Sequence, residues 1–374
     1  MLHIFDLFLG IKGRLNFLQF ERYGKYGEQT YRNQFEEKFP FLDFNKTIIA
    51  SHASNHLAIA FDPSYIPKSG KKTPGAGYFW SGVAGQAKWG LEIGGLAAVD
   101  IGNHTAFHLE AVQTIGLKDD ETLLEYYTRI ILDRMDSLQE VSKVLIADAY
   151  FSKRGFVESL FQNGFTVISR LRDDANLQYI YKGKQKEGRG RPRKYDGKVQ
   201  AKELDDDKVS LESENEGEQI HSAIVYSNSL KMNIKVVIVK TKTKDHWRHK
   251  LYFSTDIKMD WKVILDYYRS RFQIEFLYRD GKQFTGMNNC EARSTNKLDF
   301  HFNASLTSIN LVKVAHWMTI PKAERGTFSM TDAKNIYHNE LQVNRFIRKF
   351  GINPNTRKNK WKIRQLLFYG CIAA

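Results

Sequence analysis

The sequence predicts an α/β protein: a mixed β-sheet flanked by helices, with a β-rich insertion and helical terminal segments. Three observations lead to this prediction. Short apolar runs alternate with amphipathic stretches over residues 51–172, a second group of strand-like runs fills residues 173–256, and helical periodicity dominates residues 257–374. The pattern therefore indicates one core of strands and helices that is interrupted by an insertion.

The composition is that of a basic globular protein. The chain has 374 residues, a hydrophobic fraction of 42% and a formal net charge of +14, so it can bury a sizeable core and favours a polyanionic partner such as nucleic acid. Its two cysteines, Cys290 and Cys371, are too few for a disulfide framework or a cysteine zinc cluster and fit a reducing compartment.

Targeting and cofactor signals are weak. No stretch approaches the roughly 20 apolar residues that span a bilayer, and the N-terminus lacks the basic region and cleavage site of a signal peptide. We therefore expect a cytoplasmic protein without a membrane partner. The string KSGKKT, residues 68–73, lacks the spacing of a phosphate-binding loop, so we expect no nucleotide cofactor.

The N-terminal part of the chain predicts short helices followed by strands. Residues 13–38 predict two short helices around a turn at residues 24–27, and we expect residues 1–50 to be a helical DNA-binding segment, with a purely structural helix pair as the alternative. The apolar run 57–61 predicts a buried strand that Pro63 ends just after Asp62. Residues 90–101 and 104–115 predict an antiparallel pair that turns at residues 102–103.

The next elements alternate between helix and strand. Residues 119–140 predict an amphipathic helix whose acidic start suits the helix dipole, and residues 143–148 predict a strand ending at Asp148. Residues 152–163 predict a helix and residues 165–172 another strand.

The predicted insertion contains a charge reversal. A strongly basic stretch, residues 182–198, precedes a strongly acidic one, residues 203–218, and three strand-like runs follow at 221–228, 233–242 and 249–255. Within the basic stretch, Arg189 and Arg191 belong to an extended Arg-Gly-Arg-Pro string that could enter a narrow minor groove. A solvated basic loop is the equally weighted alternative.

Residues 260–284 predict one helix with an unusual polar stripe. At 100° per residue, Tyr268, Arg271, Glu275 and Lys282 fall within about 60° of one another, and apolar side chains flank them on both sides. The stripe therefore faces something other than bulk solvent. On spacing alone, a half-buried ion pair between Glu275 and Arg271 is the alternative interpretation.

Two aspartates make metal chemistry the better hypothesis. Asp62 and Asp148 each end an apolar run, and adjacent strand ends would bring the two carboxylates together, where a divalent cation would offset their repulsion. Glu275 would complete an all-oxygen site, which favours Mg²⁺ or Mn²⁺. Two such ions, about 4 Å apart, can serve an in-line phosphoryl transfer. The alternative for each aspartate alone is a turn or capping residue.

The same residues carry a resemblance to a known family. The string Tyr268-x2-Arg271-x3-Glu275-x6-Lys282 resembles the Y-R-E-K signature of bacterial insertion-sequence transposases of the DDE class. IAFDPSYIPKSGKKTPG and VLIADAYFSKRGF resemble the blocks around the first and second aspartates of that family. The resemblance covers about residues 40–320, and it implies that Asp62, Asp148 and Glu275 form the catalytic and metal-binding triad.

The resemblance also implies a fold and a reaction. It implies a ribonuclease-H-like core over residues 51–172 and 257–320, a β-rich insertion over 173–256 and a helical C-terminal segment over 321–374. The implied reaction is cut-and-paste transposition with two Mg²⁺ ions, for which Mn²⁺ can substitute, and with a hairpin intermediate. The implied partners are double-stranded DNA, as transposon terminal repeats and target, and a second copy of the chain on paired ends.

Roles for further residues follow from the resemblance. Arg271 and Lys282 would hold backbone phosphates, and Tyr268 would contact a phosphate or a displaced nucleotide. Trp247 is the candidate for stacking on a flipped base, with a core tryptophan as the alternative. Further DNA-phosphate contacts are expected from Lys68, Lys71 and Lys72. Two rivals stay open: a catalytically inactive, transposase-derived DNA-binding protein and a stand-alone Mg²⁺-dependent endonuclease.

Overall fold

The computed structural model describes residues 1–185, 191–244, 246–321 and 328–372. Its strands join into one mixed sheet with the order β2-β3-β1-β5-β6-β12-β11-β10-β7-β8, to which β4 adds beside β3 and β9 beside β10. The strands are β1 (Leu57–Pro67), β2 (Gly77–Ser81), β3 (Gln86–Asp100), β4 (Thr105–Gln113), β5 (Val144–Ile146), β6 (Thr166–Leu171), β7 (Leu177–Ile180), β8 (Tyr195–Lys198), β9 (Ser210–Glu214), β10 (Glu218–Ser227), β11 (Met232–Lys242) and β12 (Trp247–Ser254).

Helices cover both faces of this sheet. They are α1 (Leu2–Gly10), α2 (Phe17–Tyr23), α3 (Glu28–Gln34), α4 (Phe41–His52), α5 (Leu123–Leu132), α6 (Met135–Val141), α7 (Arg154–Gln162), α8 (Trp261–Ser270), α9 (Gln273–Gln283), α10 (Thr295–Met318), α11 (Met330–Phe350) and α12 (Arg357–Leu367). No helix in the described ranges is long and apolar enough to cross a membrane.

Strand periodicity divides the core into two layers. Ala58 and Ala60 of β1 pack with α1, α9 and α10, whereas Ile59 and Phe61 pack with α5 and α7 on the other face. This alternation follows from the two-residue repeat of a strand, and a sheet that is buried on both faces requires the nearly continuous apolar runs seen in the sequence. The predicted fold class, a large mixed sheet flanked by helices, is confirmed and is consistent with a ribonuclease-H-like core.

The strands of residues 173–256 extend the core sheet. β12 pairs antiparallel with β6, and β11 and β10 follow outward in turn. The predicted antiparallel pair of residues 90–101 and 104–115 is also confirmed, since β3 and β4 pair across the turn that follows Asp100. The two short N-terminal helices are found as α2 and α3.

Three local predictions are wrong. β1 does not end at Pro63 but continues to Pro67. β5 pairs only with Ile59 and Ala60, so the edge of β1 that faces β5 is unpaired at Pro63. A proline is tolerated at such an edge because no partner strand requires its missing N–H. The helix predicted for residues 119–140 is divided into α5 and α6 near Asp133. The helix predicted for residues 260–284 is likewise divided into α8 and α9.

Candidate functional site

Strand register brings Asp62 and Asp148 to the same level of the sheet. β1 and β5 are parallel, with Ile59 opposite Leu145 and Ala60 opposite Ile146. Continuing this register by two residues sets Asp62 beside Asp148. Neighbouring strands lie about 4.8 Å apart, so the backbones of the two aspartates lie side by side just beyond the point where β1 and β5 cease to pair.

The conformation of Asp148 is fixed by local hydrogen bonds. Its Oδ1 accepts a hydrogen bond of 2.9 Å from the backbone N–H of Tyr150, which caps a short 3₁₀ turn over Ala149–Phe151. Its backbone carbonyl accepts a 2.9 Å hydrogen bond from the Ser169 hydroxyl on β6. Asp148 therefore is the capping residue that the sequence analysis gave as the alternative. The cap uses Oδ1 and not the second carboxylate oxygen.

Both aspartates line one cavity, which we call the carboxylate cavity. It has a volume of about 520 Å³. Its described lining is Asp62, Pro63, Tyr78, Phe79, Trp80, Glu92, Leu123, Tyr127, Asp148, Tyr150 and Phe151. The Glu92 carboxylate is held by hydrogen bonds from the Tyr127 hydroxyl and, at 2.9 Å, from the Thr114 hydroxyl, and burial raises its pKa.

The electrostatics of Asp62 differ from those of an ordinary surface carboxylate. Burial raises the pKa of Asp62 to about 7. The Arg271 guanidinium, whose Nη1 is 4.0 Å from Oδ1 of Asp62, opposes this rise in pKa, whereas the charges of Asp148 and Glu275 add to it. Two further acids thus act on Asp62 at this place, and the Arg271 guanidinium opposes them.

The break between α8 and α9 sets the positions of Arg271 and Glu275. Three consecutive backbone hydrogen bonds span only three residues there: Arg271 to Tyr268, Ile274 to Arg271 and Glu275 to Phe272. Such a tight turn shifts α9 out of the regular 100° progression. Glu275 pairs with Arg271 at 2.9 Å and its side chain stays 55% exposed. The ion pair that the spacing offered as an alternative is therefore present.

Two hydrogen bonds join α9 to the part of β1 that carries Asp62. The Tyr278 hydroxyl donates a 2.5 Å hydrogen bond to the backbone carbonyl of Asp62. Lys282 Nζ donates a 2.9 Å hydrogen bond to Ser64 Oγ, and burial lowers the pKa of Lys282 while the charge of Asp62 opposes that change. Sequence reasoning missed Tyr278 and Ser64, although Ser64 lies on the same face of β1 as Asp62 by the two-residue repeat.

Tyr268 of α8 packs against β12. Its ring packs 4.9 Å from the ring of Tyr252, and burial raises its pKa. Tyr252 is paired in the sheet with Arg170 of β6. Tyr252 and Arg170 were missed because a single aromatic and a single arginine in separate strands carry no spacing signal.

The remaining predicted contacts are scattered. Lys68 is partly buried near Cys290 and Glu291, Lys71 and Lys72 are exposed on the loop after β1, and Arg191 is exposed before β8. Arg189 lies outside the described residues.

Trp247 begins β12 and is 41% exposed, so it is not the core tryptophan of the alternative interpretation. Cys290 is a buried thiol.

The donors fit a divalent cation in their chemistry. Asp62 and Asp148 present hard oxygen atoms to one cavity, and a bound cation would offset both the burial and the neighbouring negative charges that raise the pKa of Asp62. Over the described ranges, however, no three His, Cys, Asp or Glu side chains are gathered closely enough to hold a metal ion. Glu275 is paired with Arg271, which also approaches Asp62.

Comparison with known proteins gives one positive finding. A family model described as the transposase DDE domain matches residues 73–311, a span that includes Asp148 and Glu275 and begins after Asp62. No curated protein matches the chain significantly. Because the family model covers more than half of the 374 residues, its match identifies the family. The chain belongs to the transposase DDE domain family, which implies polynucleotidyl transfer or endonuclease activity on DNA.

Proposed function

We propose that this protein is a DNA transposase of the Y-R-E-K branch that cleaves transposon ends and transfers them to target DNA by phosphoryl transfer. The observation that supports this most is the parallel register that sets Asp62 beside Asp148 on one cavity, with Glu275 acting electrostatically on Asp62. Family membership supplies the reaction class, and this geometry supplies a place for it.

In this proposal Asp62, Asp148 and Glu275 hold two Mg²⁺ ions, for which Mn²⁺ can substitute. Such ions, when bound, activate the attacking oxygen and stabilise the leaving oxygen of an in-line transfer. Glu275 reaches that role by leaving its ion pair with Arg271. The freed guanidinium can then bind a backbone phosphate, which accounts for the pairing of these two residues four positions apart.

In this proposal the other residues of the Y-R-E-K signature bind the DNA and orient it. Lys282, held by Ser64, places a cation next to Asp62 and can contact a phosphate. Tyr268, which packs against Tyr252, can contact a phosphate or a displaced nucleotide. The proposed outer contacts with DNA are Lys68, Lys71, Lys72, Arg189, Arg191 and Trp247, together with the helices of residues 1–50.

The proposal extends to the course of the reaction. It comprises a hairpin intermediate at the cleaved end, a homodimer on paired ends, and a cytoplasmic, nucleoid-associated enzyme in its bacterial host. These features are inferred from the family resemblance. The net charge of +14 is consistent with an enzyme that holds two DNA segments.

The decisive experiment measures DNA cleavage and joining by the full chain. The DNA flanking the gene supplies the terminal repeat, and an end-containing duplex is incubated with Mg²⁺ and a target plasmid. Denaturing gels separate nicked strands, hairpins and joined products. We expect Asp148→Asn and Glu275→Gln to reduce cleavage at least about 1,000-fold, because each removes a proposed metal ligand.

The matched control is Glu158→Gln, an acid that pairs with Arg154 on the surface of α7 and should leave cleavage unchanged. Cleavage without joined products would indicate a stand-alone nuclease. Equal DNA binding by all variants with no cleavage by any of them, including the wild type, would indicate an inactive DNA-binding protein and contradict the proposal.

A further inference from the structure

The C-terminal helical hairpin, formed by α11 and α12, carries a charge that the proposed chemistry does not use. Residues 341–374 contain eight basic side chains and no acidic one. The basic residues are Arg345, Arg348, Lys349, Arg357, Lys358, Lys360, Lys362 and Arg364. The hairpin also lies beyond residues 73–311, which the family model matches. Nothing in that match therefore assigns it a role.

α12 has an outer face that the described part of the chain does not cover. No residue of this helix, Arg357–Leu367, is buried. Asn339 on α11 donates hydrogen bonds to the carbonyls of Leu367 at 3.0 Å and Tyr369 at 2.9 Å. A helix of 11 residues is only marginally stable alone in water, so these contacts with α11 hold it in a fixed orientation.

Cations and aromatic rings share that outer face. At 100° per residue, five side chains fall within about 100° of one another: Arg357, Lys360, Trp361, Arg364 and Phe368. Trp361 is 62% exposed and Phe368, which ends the helix, is 53% exposed. A membrane-surface helix keeps its rings on the side opposite its charges, whereas interleaved cations and rings are typical of surfaces that follow a nucleic-acid backbone.

The positive charge continues to the N-terminal helices. Arg345 of α11 donates a 2.9 Å hydrogen bond to the backbone carbonyl of Arg22 in α2. A cavity of about 520 Å³ lies beside this contact. Its lining includes four cations and two acids: Lys25, Arg345, Arg348, Lys349, Asp6 and Glu340. Basic side chains thus extend from the hairpin to the helices for which DNA contacts are proposed.

A second copy of the chain is the rival occupant of this surface. The rings of Phe346 and Phe350 on α11 pack on each other at 4.4 Å and both are exposed, as they would be in a contact between proteins. A symmetric contact, however, would set two hairpins with eight positive charges each against one another. Like charges across an interface repel, so charge complementarity favours a polyanion over a second hairpin.

We propose that the hairpin of α11 and α12 is an arm that binds the phosphate backbone of duplex DNA irrespective of sequence, as a contact separate from the one at the carboxylate cavity. This inference rests on the proposed function only for the choice of DNA as the polyanion. Contacts from lysine and arginine to phosphate oxygens supply affinity and carry no sequence information. The arm therefore adds affinity for DNA of any sequence, the target included.

The test measures binding to DNA that contains no terminal repeat. Fluorescence anisotropy follows the affinity of the full chain, in metal-free buffer, for a duplex of arbitrary sequence at salt concentrations from about 50 to 200 mM. The variant replaces three cations of the outer face, Arg357→Gln, Lys360→Gln and Arg364→Gln. We expect at least about a 10-fold loss of affinity at low salt and a salt slope that is smaller by about 2–3, because each lost phosphate contact removes about 0.9 from that slope.

Two further variants accompany this triple substitution. The charge-conserving variant exchanges lysine and arginine at the same three positions and should keep the affinity and the slope of the wild type. The matched control removes three exposed lysines outside the hairpin and should change the affinity less than about 2-fold. Its substitutions are Lys143→Gln, Lys231→Gln and Lys258→Gln. Thermal melting establishes that each chain is folded, and sedimentation gives its oligomeric mass.

Three results would overturn the arm. These are an outer-face variant with the affinity and slope of the wild type, a loss of affinity no larger than that of the control, and a change confined to oligomeric mass, which would assign the hairpin to a second copy. If one of them is found while the wild type still cleaves end-containing DNA, the transposase proposal stands and the arm falls. The expected losses in a protein that cleaves no DNA would retain the arm and remove the transposase.

Discussion

Two buried polar regions of the protein follow opposite principles. Around α10, Asn303 accepts hydrogen bonds from His108 Nε2 at 3.0 Å and from the backbone N–H of Ala111 at 2.8 Å, and donates one to the carbonyl of Ala111 at 2.9 Å. Asn310 similarly joins His108 to Asn45. Burial lowers the pKa of His108 to about 4, so the imidazole in this network is neutral at pH 7.

The carboxylate cavity holds groups of like charge instead. Asp62 is buried near Asp148 and Glu275, and no neighbour donates a hydrogen bond to its carboxylate among the described contacts; Arg271 approaches only to 4.0 Å. A satisfied neutral network fixes the packing of a helix, whereas repelling acids raise the free energy of the folded state. The comparison therefore distinguishes a hydrogen-bonded polar cluster from a buried group of like charges, which is what the proposed metal site requires.

The largest expected effect comes from removing one of the repelling charges. Asp62→Asn should reduce cleavage at least about 1,000-fold, because a proposed metal ligand is lost. The same change should stabilise the metal-free protein. The pKa of Asp62 rises from 3.8 to about 7 on folding, so wild-type stability falls as pH rises through this window. The gain in unfolding free energy should be below about 1 kcal/mol at pH 4 and on the order of 4 kcal/mol at pH 8.

Urea unfolding at the two pH values, with a chelator present, measures this gain. Addition of Mg²⁺ should stabilise the wild type more than Asp62→Asn, since a ligand that binds the folded state raises its stability. Glu291→Gln, an exposed acid that pairs with Arg14, is the control for a general charge effect. A loss of stability at pH 8 for Asp62→Asn would contradict the repulsion that distinguishes the two regions.

A smaller effect of opposite sign is expected in the network around α10. Asn303→Ala leaves the buried N–H and carbonyl of Ala111 without partners, so the free energy of unfolding should fall by about 3 kcal/mol at every pH. Asn296→Ala, on the exposed side of the same helix, should lose less than about 0.5 kcal/mol. Thermal and urea unfolding measure both, and a loss for Asn303→Ala as small as that of its control would show that the network is not structural.

Much of the fold could be predicted because the core strands are apolar runs with clear boundaries. The runs that became β3, β4, β5, β6, β10, β11 and β12 are visible in the sequence as such. The errors arose where tertiary pairing overrides a local signal. Pro63 is tolerated inside β1 because β5 is too short to require its N–H, and the division of α8 from α9 has no proline or glycine to mark it.

The candidate site could be predicted only in part, for a related reason. Asp62, Asp148 and Glu275 stand out because charged residues interrupt or follow apolar runs, but spacing along the chain does not reveal that Glu275 pairs with Arg271 while Tyr278 anchors Asp62. That the three acids converge on metal ions stays a prediction. The place of Tyr78 and Trp80 in the lining of this cavity could not be predicted, since a short exposed strand looks like any hairpin until the cavity beside it is known.

The smallest expected effect tests the contact that joins β1 to α9. A Cβ at Gly95 would lie 1.9 Å from the Tyr278 hydroxyl, the group that donates to the carbonyl of Asp62, so Gly95→Ala must displace that ring. We expect a loss of about 1–2 kcal/mol in unfolding free energy together with a fall in cleavage, because the displaced helix also carries Glu275. Gly155→Ala, where a Cβ meets nothing within 4 Å, should leave both unchanged or slightly raise stability. Cleavage assays and urea unfolding on the same preparations distinguish the outcomes. A Gly95→Ala protein that loses stability but retains full cleavage would mean that Tyr278 supports the fold without positioning Asp62. The geometry of the carboxylate cavity would then depend on the strands alone.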